Sequence, residues 1–298
     1  MKPLIDDAFI SMLEQRDLYI GRSMNGLFGG TRRANAYGSS AEFADYRDYF
    51  PGDDLRRIDW NLYARFEKLY LKLYVDERQL HHRIYIDASA SMDWGQPSKA
   101  ETALKLTAAL AYLSVRATDR VSIYILHGDK CEPLCPAFSS VRSFYNAAHL
   151  LNGVRFKGDC DVAAAITNFE HTGRNDGLSV IISDFLNDND FRPAVESLLY
   201  KGKKVHLLQI LSEDEITPSL RGRFFLLDSE GQGEDDERNY RSIITRSRVK
   251  AYEKALAWYQ NEISSFCKAR DVGFITVCSS DPIEKILFFK ATEERLIQ

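Results

Sequence analysis

Asp87, Ser89 and Ser91 place one carboxyl and two hydroxyl groups at a spacing of two residues, directly after the apolar run Ile84-Tyr85-Ile86 and ahead of a helical stripe. If that run is a strand, the Asp-x-Ser-x-Ser segment leaves its carboxyl end, which is where ligands bind in an open α/β sheet. Hard oxygen donors of this kind suit Mg2+ or Mn2+, ions that keep several waters and leave a position for an outside carboxylate. A second strand-like run, over 178–182, ends in Ser183-Asp184, so Asp184 is expected to join Asp87, Ser89 and Ser91 as a metal ligand at the same edge. The plainer reading of Asp87, Ser89 and Ser91 is a capped helix N-terminus, because Asp and Ser are favoured there with or without metal.

Those residues need a scaffold that brings two strand ends together, and the hydrophobic periodicity predicts one. A helix over 4–18 precedes a Gly-, Ser- and Arg-rich stretch over 21–40, and 68–75 alternates as a strand. Strands over 83–87, 120–126, 178–183, 204–211 and 273–277 interleave with helices over 99–117, 141–151, 161–169, 191–200 and 243–269. A last helix follows Ser280-Asp281-Pro282, read as a cap and first-turn proline. Such alternation predicts an α/β fold, a doubly wound, mostly parallel sheet, preceded by an irregular N-terminal segment with short strands. We expect residues 1–80 to pack as a segment on a main domain of residues 81–298. An acidic stretch near 228–240, almost without apolar residues, predicts an exposed insertion before the long helix.

Composition narrows the function. The 298 residues are 45% hydrophobic and 28% charged with a formal net charge of −4, so nothing global draws the chain to phosphate backbones or anionic membranes. Nucleic acid is not an expected partner. No apolar run approaches the roughly 20 residues of a membrane span. Asp6 and Asp7 stand where a secretion signal needs its apolar stretch, so a cytoplasmic location without an integral membrane segment is expected. The five cysteines have neither zinc-site nor disulfide-framework spacing. The glycine-rich stretch over 25–32 lacks the Gly-Lys-Ser/Thr ending of a phosphate loop, and neither Ser89 nor Ser91 lies in a Gly-x-Ser-x-Gly elbow. No complete catalytic constellation emerges, and a binding protein is expected in place of an enzyme. The enzymatic rival is a Mg-dependent phosphohydrolase with Asp87 as nucleophile, although Ser89, not a second acid, stands two residues on.

The Asp-x-Ser-x-Ser turn, with Asp184 behind it, resembles the metal-ion-dependent adhesion site of von Willebrand factor A domains. There an Asp and two Ser of a first loop, a Thr of a second loop and an Asp from a later strand surround the metal. The resemblance implies ligand capture through that metal. The matching second loop is Gly158-Asp159-Cys160-Asp161, with Cys160, a soft donor, where the Thr would stand. The resemblance thus leaves the missing oxygen to Asp159 or Asp161, or leaves the metal weakly held or lost.

A longer run sharpens the resemblance: Gly38, Glu42-Phe43, Tyr46-Arg47, Pro51-Gly52-Asp53-Asp54, Arg56-Arg57-Ile58-Asp59-Trp60 and Ala64-Arg65. It is similar to the signature of the domain-of-unknown-function 58 family, proteins with an A-type domain commonly encoded beside MoxR-type AAA+ ATPases. The resemblance covers nearly the whole chain. It implies cooperation with a MoxR-type AAA+ ATPase in maturing or remodelling a client protein. Taken by its residues alone, 46–65 sets four arginines among Asp53, Asp54 and Asp59 around Pro51-Gly52, the chemistry of a tight turn held by charge-assisted hydrogen bonds. It serves either as a latch on the main domain or as a docking surface anchored by Arg47, Arg56, Trp60 and Arg65. A metal-free scaffold binding through this segment is the third functional reading.

Overall fold

The computed structural model describes residues 5–14, 41–76, 80–169, 177–187, 189–219, 222–226, 240–293 and 296. Two compact units emerge, Gly26–Gln79 and a larger one made of Met1–Asn25 with Leu80–Gln298. The first helix, α1 (Asp7–Glu14), goes with the larger unit. Its apolar stripe explains why: Ile10 and Leu13 are buried in the main core, and Glu14 accepts the Tyr112 hydroxyl at 2.8 Å.

In the smaller unit, β1 (Ala41–Asp48) and β2 (Tyr70–Asp76) pair antiparallel around α2 (Trp60–Phe66). Asp59 caps α2, accepting from the amides of Asn61 and Leu62, and also takes the Tyr46 hydroxyl at 3.0 Å and the Lys72 ammonium at 3.2 Å. Arg47 grips Asp53 with both ends of its guanidinium, at 2.8 and 2.5 Å.

The larger unit continues with β3 (His81–Asp87), α3 (Lys99–Arg116), β4 (Arg120–His127), β5 (Lys130–Phe138), α4 (Val141–Leu151), α5 (Val162–Asn168) and β6 (Leu178–Ser183). Then come α6 (Arg192–Tyr200), β7 (Lys204–Leu211), α7 (Glu213–Ile216), β8 (Gly222–Leu226), β9 (Tyr240–Ile244), α8 (Arg246–Lys268) and β10 (Gly273–Cys278). Six strands form one sheet in the order β10-β7-β6-β3-β4-β5, parallel except for β5. Alternate residues feed opposite faces, as the two-residue strand period requires. Ile84 and Ile86 join a core with α1, α3 and α4, while Tyr85 and Ile181 join a second core with α5, α6 and α8. This is the doubly wound, mostly parallel sheet that the alternation predicted.

The structure corrects the sequence reading at several places. β5 was not anticipated, because Pro133 and Pro136 deny it two ladder donors; it is tolerated as an antiparallel edge strand with irregular register. The long helix starts at Arg246, capped by Thr245, since 240–244 pairs with β8 as an antiparallel hairpin arm. The acidic stretch over 228–239 lies outside the described residues. The closing segment is not one helix. A turn at Ile283–Lys285 passes into a π-helical stretch at Ile286–Lys290, and Lys285 and Lys290 both reach back to Asp281.

Candidate functional site

β3 lies between β4 and β6, so the chain leaves it in one direction toward β4 and returns on its other side at β6. That reversal opens a crevice outside the carboxyl ends of β3 and β6, the place where doubly wound sheets bind ligands. Asp87 ends β3, Ser183 ends β6, and Asp184 follows immediately. The two strands that the sequence sent to one edge are hydrogen-bonded neighbours, with Ile86 in register with Ile182.

The crevice is laced together by three loops. Lys157 donates its amide to the Ala88 carbonyl at 2.9 Å, and Ala90 donates to the Gly158 carbonyl at 2.8 Å. The same second loop ties to the end of β4 through Gly128 and Asp159 at 2.9 Å and through Asp161 and Gly128 at 2.8 Å. Gly158 sits at φ 71°, the left-handed region where a side chain is costly. Asn187 closes the ring by donating to the Cys160 carbonyl at 2.8 Å.

Asp87 is buried. Its Oδ1 accepts the Ser89 amide at 2.9 Å and its Oδ2 accepts the Ser183 hydroxyl at 2.6 Å. Burial first, then the neighbouring Asp184 charge, pushes the Asp87 carboxyl above its ordinary range, with the Ser183 and Ser89 hydrogen bonds working against them. The Ser89 and Ser91 hydroxyls face each other across 2.9 Å.

Asp184 is organised differently. Its Oδ1 accepts the Leu186 amide at 3.1 Å, while its Oδ2 lies 2.7 Å from the ammonium of Lys99. Its backbone is pinned by Gln209, which donates to the Asp184 carbonyl at 2.9 Å, and Tyr259 does the same for Phe185 at 2.8 Å. Phe185 takes the unusual φ of 53° between these anchors.

Lys99 is the buried residue of the crevice that sequence reasoning missed. Its side chain is 1% exposed, and it pairs with both Asp184 and Glu215, the latter at 2.5 Å. Glu215 belongs to a capping box, its other oxygen accepting the Ser212 amide at 2.7 Å. Burial would lower the Lys99 pKa, but the charges of Asp184 and Glu215 override it and hold the ammonium above its ordinary value. A signal was available in the sequence. Lys99 occupies the first turn of α3, where the helix dipole disfavours a cation unless a carboxylate is there to meet it.

The second loop departs from expectation. The Cys160 side chain is buried in the core beneath α5 with Tyr85, Leu126 and Ile166, so the loop presents backbone, not this side chain, to the crevice. Asp161 is occupied as the N-cap of α5, accepting from Ala164 at 2.9 Å, and Asp159 is exposed. In the smaller unit Arg56 and Arg65 are exposed, Trp60 is 60% exposed against the edge of Tyr63, and Arg47 is committed to Asp53.

The donor chemistry fits a small divalent cation at Asp87, Ser89 and Ser91. Adjacent ligands of an octahedral Mg2+ at about 2.0–2.1 Å stand roughly 2.9 Å apart. The two hydroxyls already have that separation. Among the described residues no group of three or more His, Cys, Asp and Glu side chains could hold a metal. The set here draws on hydroxyls instead. Among the same residues no helix is long and apolar enough to cross a membrane.

Comparisons with known proteins agree with the family resemblance. The profile of the family described as "Protein of unknown function DUF58" matches residues 45–256. The uncharacterised proteins Rv1480 of Mycobacterium tuberculosis and Mb1516 of Mycobacterium bovis are each 29% identical over 198 residues, covering 63% of this chain. The chain spans 61% of the length of these relatives. Among solved structures, a von Willebrand factor type A protein from Catenulispora acidiphila matches 76% of this chain and 42% of its own, at 13% identity and a TM-score of 0.41. The SpRpn10 VWA domain matches 45% of this chain and 76% of its own, at 11% identity and a TM-score of 0.33. The main unit is a doubly wound, mostly parallel α/β domain.

Proposed function

The chain belongs to the DUF58 family, and on that premise we propose that it is a protein-binding module, not an enzyme, which captures a partner's carboxylate at the β3–β6 crevice. One observation carries the reading. Asp87 is a buried carboxyl whose hydrogen-bond partners are an amide and a hydroxyl, with no cation among the described residues bonded to it, beside two hydroxyls 2.9 Å apart. A buried carboxylate without a counter-charge is costly, and a hard divalent cation relieves that cost. Of the four expected ligands, Asp87, Ser89 and Ser91 would hold Mg2+ or Mn2+, while Asp184 is paired with Lys99; the ion when bound supplies an open coordination position for an acidic side chain.

The residues around the crevice do the positioning. The amides of Ala90 and Lys157 lock the first and second loops together, and Ser183 orients the Asp87 carboxyl. The phosphohydrolase reading lacks a second acid two residues on, where Ser89 stands. The partner we infer is a MoxR-type AAA+ ATPase, acting in the cytoplasm with a client protein; the family signature over 46–65 supports it. A metal-independent contact through Arg56, Trp60 and Arg65 is a second reading, favoured by the exposure of these three side chains.

Affinity capture with the full chain, in Mg2+ and in chelator, separates the two. Recovery of an AAA+ ATPase only in Mg2+, and its loss in Asp87→Ala and in the milder Ser91→Ala, supports the metal-dependent site. Equal recovery under all conditions, lost instead in Trp60→Ala, moves the interface to the smaller unit.

A further inference from the structure

Lys99 lies in the crevice beside the proposed cation site yet is not one of its donors. Its ammonium is buried, 2.7 Å from Asp184 and 2.5 Å from Glu215, and it comes from a helix terminus that disfavours positive charge. The two carboxylates reach it from different segments, 85 and 116 residues away in sequence. No surface role explains a lysine with 1% side-chain exposure. We propose that Lys99 is a built-in counter-cation that sets the metal affinity of the crevice by occupying Asp184, and that Glu215 tunes how strongly it does so. This rests on the reading of Asp87, Ser89 and Ser91 as a divalent-cation site.

Asp184 directly follows Ser183, whose hydroxyl donates to Asp87 at 2.6 Å, so the two carboxyl groups share one strand edge. A cation bound at Asp87 is therefore also attracted by Asp184, and Lys99 offsets that attraction. Removing the ammonium takes away a like charge and leaves the Asp184 charge uncompensated. Both changes act in the same direction, toward tighter metal binding. Glu215 acts the opposite way. Its carboxylate neutralises part of Lys99, and Gln at that position leaves the ammonium less compensated and more repulsive to a metal. Lys99 is thus a positioning residue, and the pair Lys99 and Glu215 links the α7 segment to the strand ends without either residue contacting the cation.

The test is a Mn2+ titration of the full-length chain followed by electron paramagnetic resonance, with Mn2+ alone as the probe. Three proteins are compared: wild type, Lys99→Gln and Glu215→Gln. Gln at 99 keeps a hydrogen-bond donor for Asp184, and Glu215 is 18% exposed, which favours folding of its variant. Circular dichroism verifies that each is folded. We expect Lys99→Gln to bind Mn2+ about tenfold more tightly and Glu215→Gln several-fold more weakly, since a nearby unit charge shifts a divalent ion's affinity by at least this much in a partly buried site. A merely structural role would weaken binding in both. Mn2+ bound by the wild type but weakened or unchanged in Lys99→Gln overturns the inference and leaves the metal site standing. Binding seen only in Lys99→Gln supports the inference and removes the metal from the wild-type function. Absence of Mn2+ binding in all three overturns both readings.

Discussion

Replacing Lys99 by Met tests how far the crevice depends on its internal ion pair for stability. Lys99 and Asp184 have side-chain exposures of 1% and 3%, and Glu215 is 18% exposed, so the ammonium and at least one carboxylate are sealed from water. Met has nearly the volume of the lysine stem and fills the space, so little of the loss comes from packing. What remains is an uncompensated buried carboxylate, for which removal of one partner typically costs about 3–5 kcal/mol. For a domain of this size each kcal/mol lowers Tm by about 2–4 °C, which puts the expected fall near 10 °C. Asp184→Asn removes the charge from the other side while keeping an acceptor for the Leu186 amide. The double variant should therefore lose less than the sum of the single losses, by more than about 1 kcal/mol. Differential scanning calorimetry or urea melts of the four proteins supply the cycle. The carboxylates hold Lys99 above its ordinary pKa of 10.5, so its contribution is complete below that value and is lost only as pH rises through the higher folded value. Melts between pH 7 and 9 should show the same Lys99→Met penalty. A Lys99→Met protein melting within about 2 °C of the wild type, or strict additivity, would refute the sealed ion pair.

Cys160→Thr places a hydroxyl among Tyr85, Leu126 and Ile166 and should cost about 1–3 kcal/mol without changing Mn2+ affinity; tighter Mn2+ binding would mean that this side chain reaches the crevice after all. Burial, reinforced by Arg83, Arg120 and Lys203, lowers the His81 pKa from 6.5 to about 4. The unfolded chain therefore takes up this proton first on acidification, and stability is lost as pH falls from 6.5 toward 4, by roughly 2–3 kcal/mol for this partly buried ring. Urea melts at pH 7 and 5 should show a smaller acid loss in His81→Gln than in the wild type, and equal losses would contradict the assignment. Leu13→Ala should destabilise the main unit by about 2–5 kcal/mol, because Leu13 is buried against its core; a change below about 1 kcal/mol would separate α1 from that core.

Which parts of this molecule could be read in advance follows from the distance over which each is determined. The central strands were legible because a parallel strand covered on both faces must be largely apolar, as 180–182 and 84–86 are. β5 was not, because an edge strand has only one side to pair and tolerates the prolines that argued against it. Asp87, Ser89 and Ser91 were legible for a similar reason, since their relation is written into five consecutive residues and needs only a strand before them. Lys99 meets Asp184 and Glu215 across 85 and 116 residues, and no local period records such a meeting. Cys160 shows a different limit. The residue standing where the family pattern places a donor was judged by its chemistry, but side-chain direction decides what a loop offers. The isolated bridge between Gly128 and Cys160 sets that loop beside β4, and the Cys160 side chain points into the core while its carbonyl receives Asn187. A motif therefore predicts an arrangement of side chains where its own backbone fixes their directions, and fails where a neighbouring strand fixes them instead. By that criterion the hydroxyl pair is the part of the crevice least dependent on distant contacts, and the charge balance around Asp184 is the part most dependent on them.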